Sequence, residues 1–196
     1  MLDRLVNGAI GFVGVIVFVA TFPIIALVIR LDSRGPIIFS QKRVGLKGSR
    51  FTFYKYRTMS HEGHKPYETP KLEAVHFKTF TFITPTSRLT RAGRVLRATS
   101  LDELPNFWNV LKGDMRIVGP RPEIPELVSQ YPPEYHQRHD VKPGITGLAQ
   151  VSGRANLTYE ETMQYDLEYV RHHSLARDFA ILAKTVPVVL ARKGAR

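Results

Sequence analysis

The sequence predicts an α+β fold: a mainly helical single domain with a small β-hairpin, preceded by a membrane helix broken at Pro23. Three observations carry this prediction. Leu5 to Ile29 holds 25 residues without a charge, two period-two segments flank a short glycine-containing turn, and later stretches show helical spacing. A chain of 196 residues can bury one core and asks for no second domain. Residues 1–34 are therefore assigned to a membrane-inserted helix and residues 35–196 to one unit packed on the membrane surface.

The apolar run comes first. As a continuous helix it would measure about 37 Å at ~1.5 Å per residue, longer than a hydrocarbon core of roughly 30 Å. It is too long for a signal peptide, and no small-residue cleavage site follows it. Pro23 lacks an N–H and clashes with the preceding turn, which predicts a kink near Ala20 to Phe22. Arg30, Arg34, Lys42, Arg43 and Lys47 follow the run and place that end in the cytoplasm. Met1 to Arg4 is too short and weakly charged to orient the other end. From the flanks alone, a helix that bends at Pro23 and returns stands level with a simple crossing.

Residues 37–44 and 50–57 alternate with period two around Gly45-Leu46-Lys47-Gly48-Ser49, which predicts a β-hairpin. Residues 60–87 lack clean periodicity and read as an irregular excursion able to carry substrate or partner preference. Arg88 to Arg97 and Asp102 to Leu111 read as helices, the second stopped by Lys112-Gly113. Pro120 to Pro125 and Pro132-Pro133 mark loops. Tyr159 to Arg171 is a further helix. Ala176 to Arg192 combines an apolar face with Arg177, Lys184 and Arg192, as an interfacial amphipathic helix does, although Pro187 interrupts the pattern.

Twenty-eight Lys and Arg against 17 Asp and Glu give a net charge of +11. Such a balance suits nucleic acid, an anionic leaflet or phosphorylated substrates. With no cysteine, the chain has no disulfide, iron–sulfur cluster or thiol nucleophile. His61/His64 and His136/His139 have helical spacing but fall in irregular stretches without an evident third ligand.

The chemistry-bearing segment is Asp102-Glu103, set among Arg94, Arg97, Lys112, Arg116 and Arg121. Asp102 as a helix cap would leave Pro105 at the third helical position, where its missing N–H costs nothing. An ionised carboxylate there is stabilised by the positive helix end. Asp is also a common cap and Glu is common in a first turn, so the pair taken alone reads as structure, and the neighbouring cations and the apolar run shift the weight toward chemistry. Arg88, Arg91, Arg94 and Arg97 fan around their helix, and Arg97 lies nearest the pair. Lys55 and Arg57 end a predicted strand on one face. The prolines flanking Arg121 stiffen its backbone and fix where it points.

Lys55-Tyr56-Arg57-Thr58-Met59, Arg97 to Pro105 and Trp108 to Met115 resemble the bacterial sugar transferases, the monotopic phosphoglycosyl transferases. Val118-Gly119-Pro120-Arg121-Pro122 and the run from Lys142 to Arg154 continue the likeness, which extends to about Pro187. The resemblance implies transfer of a sugar 1-phosphate from a UDP-sugar to polyprenyl phosphate, with release of UMP. This is a first membrane step of bacterial glycoconjugate synthesis. It implies Asp102 as nucleophile and ligand of Mg2+, with Glu103 assisting. Lys55, Arg57, Arg97 and Arg121 are expected on phosphate, and Gln150 and Arg154 near nucleotide or sugar. It further implies a re-entrant apolar helix among inner-membrane phospholipid, the catalytic domain on the cytoplasmic face, and no nucleic acid. In that family a serine usually precedes the proline; here Phe22 does, and Thr21 is the nearest hydroxyl. The sugar, the glycan pathway and any homo-oligomer stay open. A membrane-tethered nucleic-acid binder or a scaffold is the rival reading, and an acidic pair among the cations weighs against the first.

Overall fold

A computed structural model of the chain describes residues 2–60, 77 and 88–191. Helix α1 (Leu2–Asp32) is unbroken over 31 residues, with Pro23 inside it and on its exposed side. The helix thus continues through Pro23, where the sequence predicts a break. Its ring removes one backbone hydrogen bond, while the turns on both sides keep theirs. Thr21 Oγ1 donates to the Val17 carbonyl at 2.8 Å, one turn back.

One stripe of α1, through Gly11, Gly14, Ala26 and Ile29, is buried against the rest of the chain. The opposite side exposes Phe12, Ile16, Val19, Ile24, Leu27 and Leu31. Gly14 is needed at the contact with α3 (Asn106–Lys112), because an added Cβ would lie 2.1 Å from the Phe107 ring. Both ends of α1 are tied down. Near its start, Asp3 pairs with Arg116 at 2.8 Å and Asn7 Oδ1 accepts the Ile117 N–H at 2.8 Å. At its end, Asp32 accepts the Ala92 N–H at 2.9 Å and the Ser33 carbonyl accepts Arg57 Nη2 at 2.9 Å.

The predicted hairpin forms. Strands β1 (Ile38–Val44) and β2 (Arg50–Tyr56) pair antiparallel from Ile38 opposite Tyr56 to Val44 opposite Arg50. Phe51 and Phe53 point into a core with Val110, Met115, Val118, Val141, Tyr169 and Ile181. Tyr56, fully buried, packs with Ile29 and Leu96, so the strand's end sits between α1 and α2 (Arg91–Ala98). Each such side chain contributes about 1.5–3 kcal/mol.

Helix α2 starts three residues after the predicted Arg88, where Thr90 Oγ1 accepts the Gly93 N–H at 2.9 Å. The acidic pair departs more from expectation. Ser100 adopts φ 58, Leu101–Glu103 form a 3-10 turn, and α3 begins only after Pro105. Asp102 is thus not a helix cap. The proline, with no N–H to place, starts a new helix instead of sitting in the first turn of one. The predicted stop holds: Gly113 closes α3 with φ 82.

A parallel pair not anticipated from the sequence follows. β3 (Arg116–Val118) lies beside β4 (Gly144–Thr146), with Arg116 opposite Gly144 and Val118 opposite Thr146. Three-residue strands are too short for any periodicity to register. α4 (Pro125–Val128) and a 3-10 segment over Pro133–Asp140 separate them. α5 (Leu148–Ser152), α6 (Tyr159–His172) and α7 (Leu175–Leu190) complete the chain, and α7 continues through Pro187. Residues 61–76 and 78–87, with the His61/His64 pair, lie outside the described residues.

Gly93 allows α2 to press on the hairpin exit, since an added Cβ would fall 1.9 Å from the Thr58 carbonyl oxygen. Gly93→Ala is expected to destabilise the protein by at least about 1–3 kcal/mol through overpacking, read as a lowered midpoint in thermal unfolding.

Candidate active site

The 3-10 turn buries Asp102, which is 6% exposed, beneath the hairpin and the loop of Arg121. Its carboxylate makes no hydrogen bond or ion pair among the described residues. Burial, and then the charge of Glu103, push its pKa up to about 6, against the pull of Lys55, Arg121 and Arg97. Glu103 behaves oppositely. Burial works to raise it, yet Arg121, at 2.7 Å, holds its pKa below the usual carboxylate range. The adjacent carboxylates are thereby made unlike: one neutralised by a partner, one left open.

The cations converge from separate elements. Lys55 comes from β2, and burial lowers its pKa to about 8, with Asp102 opposing and Arg97 and Arg121 adding to the fall. Arg97 comes from the last turn of α2, where Nε donates to Thr58 Oγ1 at 3.0 Å. Arg121 comes from the loop after β3, and its guanidinium is raised chiefly by Glu103. Arg154, on a turn with φ 53, donates to Ser100 Oγ at 3.2 Å and helps hold Glu103 ionised.

Other predicted site residues lie differently. Arg57 belongs to the end of α1: Nε donates to the Pro36 carbonyl at 2.6 Å, and its remaining donors reach Ser33. Strand β2 ends at Tyr56, so the alternation placing Lys55 and Arg57 on one face stops before Arg57. Lys112 pairs with Asp114 at 2.9 Å, and Arg116 with Asp3 and Asp178; neither joins the acidic pair. Gln150 stands on α5 with both side-chain amide atoms buried and without a hydrogen-bond partner among the described residues.

Sequence reading missed Asn106. It is fully buried, with Nδ2 3.4 Å from Glu103 Oε2 and an Oδ1 that has no hydrogen-bond partner among the described residues. A polar residue directly after Pro105 in an apolar helix was the available signal. Among the described residues, no three His, Cys, Asp or Glu side chains gather as a metal site, and His136/His139 lack a third ligand of that kind.

The family model described as bacterial sugar transferase matches residues 1–192. The chain belongs to the bacterial sugar transferase family. This sugar-transferase chain is 41% identical over 167 residues to an uncharacterised sugar transferase, EpsL, of Bacillus subtilis, covering 85% of this chain and 76% of that one. It is 42% identical over 166 residues to the undecaprenyl-phosphate galactose phosphotransferase of Salmonella typhimurium, covering 82% of this chain and 35% of the relative. Over 178 residues it is 41% identical to a UDP-glucose:undecaprenyl-phosphate glucose-1-phosphate transferase of Caulobacter vibrioides, covering 87% and 62%. The chain thus spans less than two thirds of the length of these last two relatives.

The electrostatics give a direct check. Asp102 should titrate near pH 6 in a carboxyl-carbon NMR titration, and Lys55→Met should move it upward, because the largest opposing charge is gone. An unmoved or lower value would show that Lys55 does not act on this carboxylate.

Proposed function

We propose that this chain transfers a sugar 1-phosphate from a UDP-sugar to polyprenyl phosphate through a covalent intermediate on Asp102. The observation that carries this reading is a buried carboxylate held among Lys55, Arg97 and Arg121 yet captured by none of them. The names of the galactose and glucose phosphotransferase relatives support the donor and acceptor classes.

In the first half-reaction, an Asp102 oxygen attacks the phosphorus that carries the sugar. The bond from that phosphorus to the bridging oxygen breaks, and UMP leaves with the electron pair. In the second, a phosphate oxygen of the polyprenyl acceptor attacks the same phosphorus and returns Asp102 as carboxylate. Lys55, Arg97 and Arg121 offset charge on the phosphoryl oxygens, arginine by two-pronged contacts. Glu103, fixed to Arg121, orients that guanidinium rather than attacking. Arg154 and the unpaired amide of Gln150 are assigned to the nucleotide or sugar, while Arg57 is assigned to anchoring α1.

Magnesium fits this arrangement: Asp102 and the unpartnered Asn106 Oδ1 are hard oxygen donors, and Mg2+ commonly takes only one or two protein carboxylates plus substrate phosphates. When bound, it would neutralise diphosphate charge and ease departure of UMP.

A membrane arrangement follows from how α1 is held. A helix crossing a core of roughly 30 Å would carry its two ends to opposite sides. Here Asp3 and Asn7 at one end bond to β3, while Asp32 and Ser33 at the other bond to α2 and to Arg57 after β2, so both ends are held by the same folded unit. That supports a monotopic placement, with the outward face of α1 in the cytoplasmic leaflet and residues 35–196 as catalytic domain beneath. The exposed Trp108 of α3 and Phe179, Val186 and Leu190 of α7 suit the interface.

Asp102→Asn is expected to abolish UMP release while the protein stays folded and membrane-bound. Mass spectrometry of wild type with donor alone should locate a phosphosugar on Asp102; turnover without that adduct excludes the intermediate. Because the ionised form attacks, turnover should rise as pH climbs through about 6. The chain has no cysteine, so single cysteines at Arg4 and Arg50 can be labelled by an impermeant maleimide in sealed vesicles. Both should react from the same side; labelling from opposite sides would establish a crossing helix.

A further inference from the structure

The loop Pro120–Glu123 presents Arg121 to the site, and its prolines supply no N–H of their own. Each of its four carbonyls instead has a donor from elsewhere. Pro120 accepts the Gly144 N–H at 2.9 Å and Glu123 the Val44 N–H at 2.9 Å. Between them, Arg121 accepts Arg138 Nη2 at 2.8 Å and Pro122 accepts Arg43 Nη1 at 3.1 Å. Arg138 is 2% exposed. Its guanidinium also meets Asp166 Oδ2 at 2.5 Å, the Tyr131 hydroxyl at 2.7 Å and, at 3.9 Å, Glu123 Oε1.

We infer that Arg138 is a positioning residue for the reaction: it clamps the Arg121 carbonyl so that the Arg121 guanidinium meets Glu103 and the incoming phosphate. This rests on the reading of Arg121 as a phosphate-binding group. Arginine suits the task because its rigid planar fork splits the contacts between two nitrogens, Nη1 on the hydroxyl and Nη2 on the carbonyl and carboxylate, whereas lysine must make all of them from one nitrogen on a flexible stem. Stability alone is a poor reason to bury this cluster, since apolar side chains in place of a buried ion pair are often neutral or stabilising. Geometry is a better one: displacement of a phosphate-binding group by about 1 Å can cost roughly 100-fold in rate.

The test is a double-mutant cycle on kcat/KM for the UDP-sugar, using Arg138→Lys, Arg121→Ala and the double variant, with thermal unfolding followed in parallel. Arg138→Lys is expected to lower kcat/KM by about 10- to 100-fold in the wild-type background. In the Arg121→Ala background it should cost less than about 3-fold, because no guanidinium remains to be placed. The drop in Tm should be the same in both backgrounds. Equal catalytic losses in the two backgrounds would overturn the inference. Unchanged turnover in Arg121→Ala would instead remove the phosphate role of Arg121, a separate failure. Asp166→Asn replaces Arg138→Lys in the cycle if the lysine variant does not fold. UMP affinity replaces kcat/KM if Arg121→Ala turns over too slowly to measure.

Discussion

A carboxylate removed from water must be balanced by positive charge, and one proposed as a nucleophile must not be captured by it. That tension organises this molecule. Taking an ion out of water costs several kcal/mol. A cation at ~4 Å returns about 4 kcal/mol at an effective dielectric near 20. Two or three cations within reach are therefore enough to keep Asp102 ionisable near neutral pH without a direct ion pair. Glu103 resolves the competition. By taking Arg121 into a 2.7 Å contact, it leaves its neighbour electrostatically supported but chemically open.

Each supporting cation arrives on an element whose placement has its own cause. Lys55 is delivered by a hairpin strand locked by Phe51 and Phe53 in the core. Arg97 is delivered by α2, which sits close because Gly93 lets it rest on Thr58. Arg121 rides a loop whose consecutive carbonyls are all engaged. Helix α1 closes the arrangement from the other side, with Gly11 and Gly14 against α3, Ile29 against Tyr56, and Phe12, Ile16, Val19, Ile24 and Leu27 outward. A helix apolar all round is thereby divided, one stripe against protein and the remainder free for hydrocarbon.

Much of this was legible in order along the chain. Alternation in residues 37–44 and 50–57 marked the hairpin to within a residue at each end. Gly113, a residue tolerant of positive φ, marked the end of α3. Helical periodicity found α6 and α7 but overstated Pro187, because one lost backbone bond does not outweigh the turns around it. Asp102 as a helix cap failed for a related reason. Cap rules treat one helix at a time, whereas the chain built a 3-10 turn and then restarted after Pro105. Arg57 was misplaced because strand alternation was carried one residue past the strand.

What the sequence determined alone is local: where apolar surface repeats, where backbone donors are missing, and which segment is too hydrophobic to be left in water. Those properties depend on a residue and its near neighbours. Tertiary structure decided which charges meet. Arg121 and Arg138 are close in sequence to many equivalent cations, yet one faces Glu103 and the other supports the backbone from within. Desolvation sets the difference: a charge acquires a shifted pKa and a unique partner only once folding has removed the water that made all such charges alike.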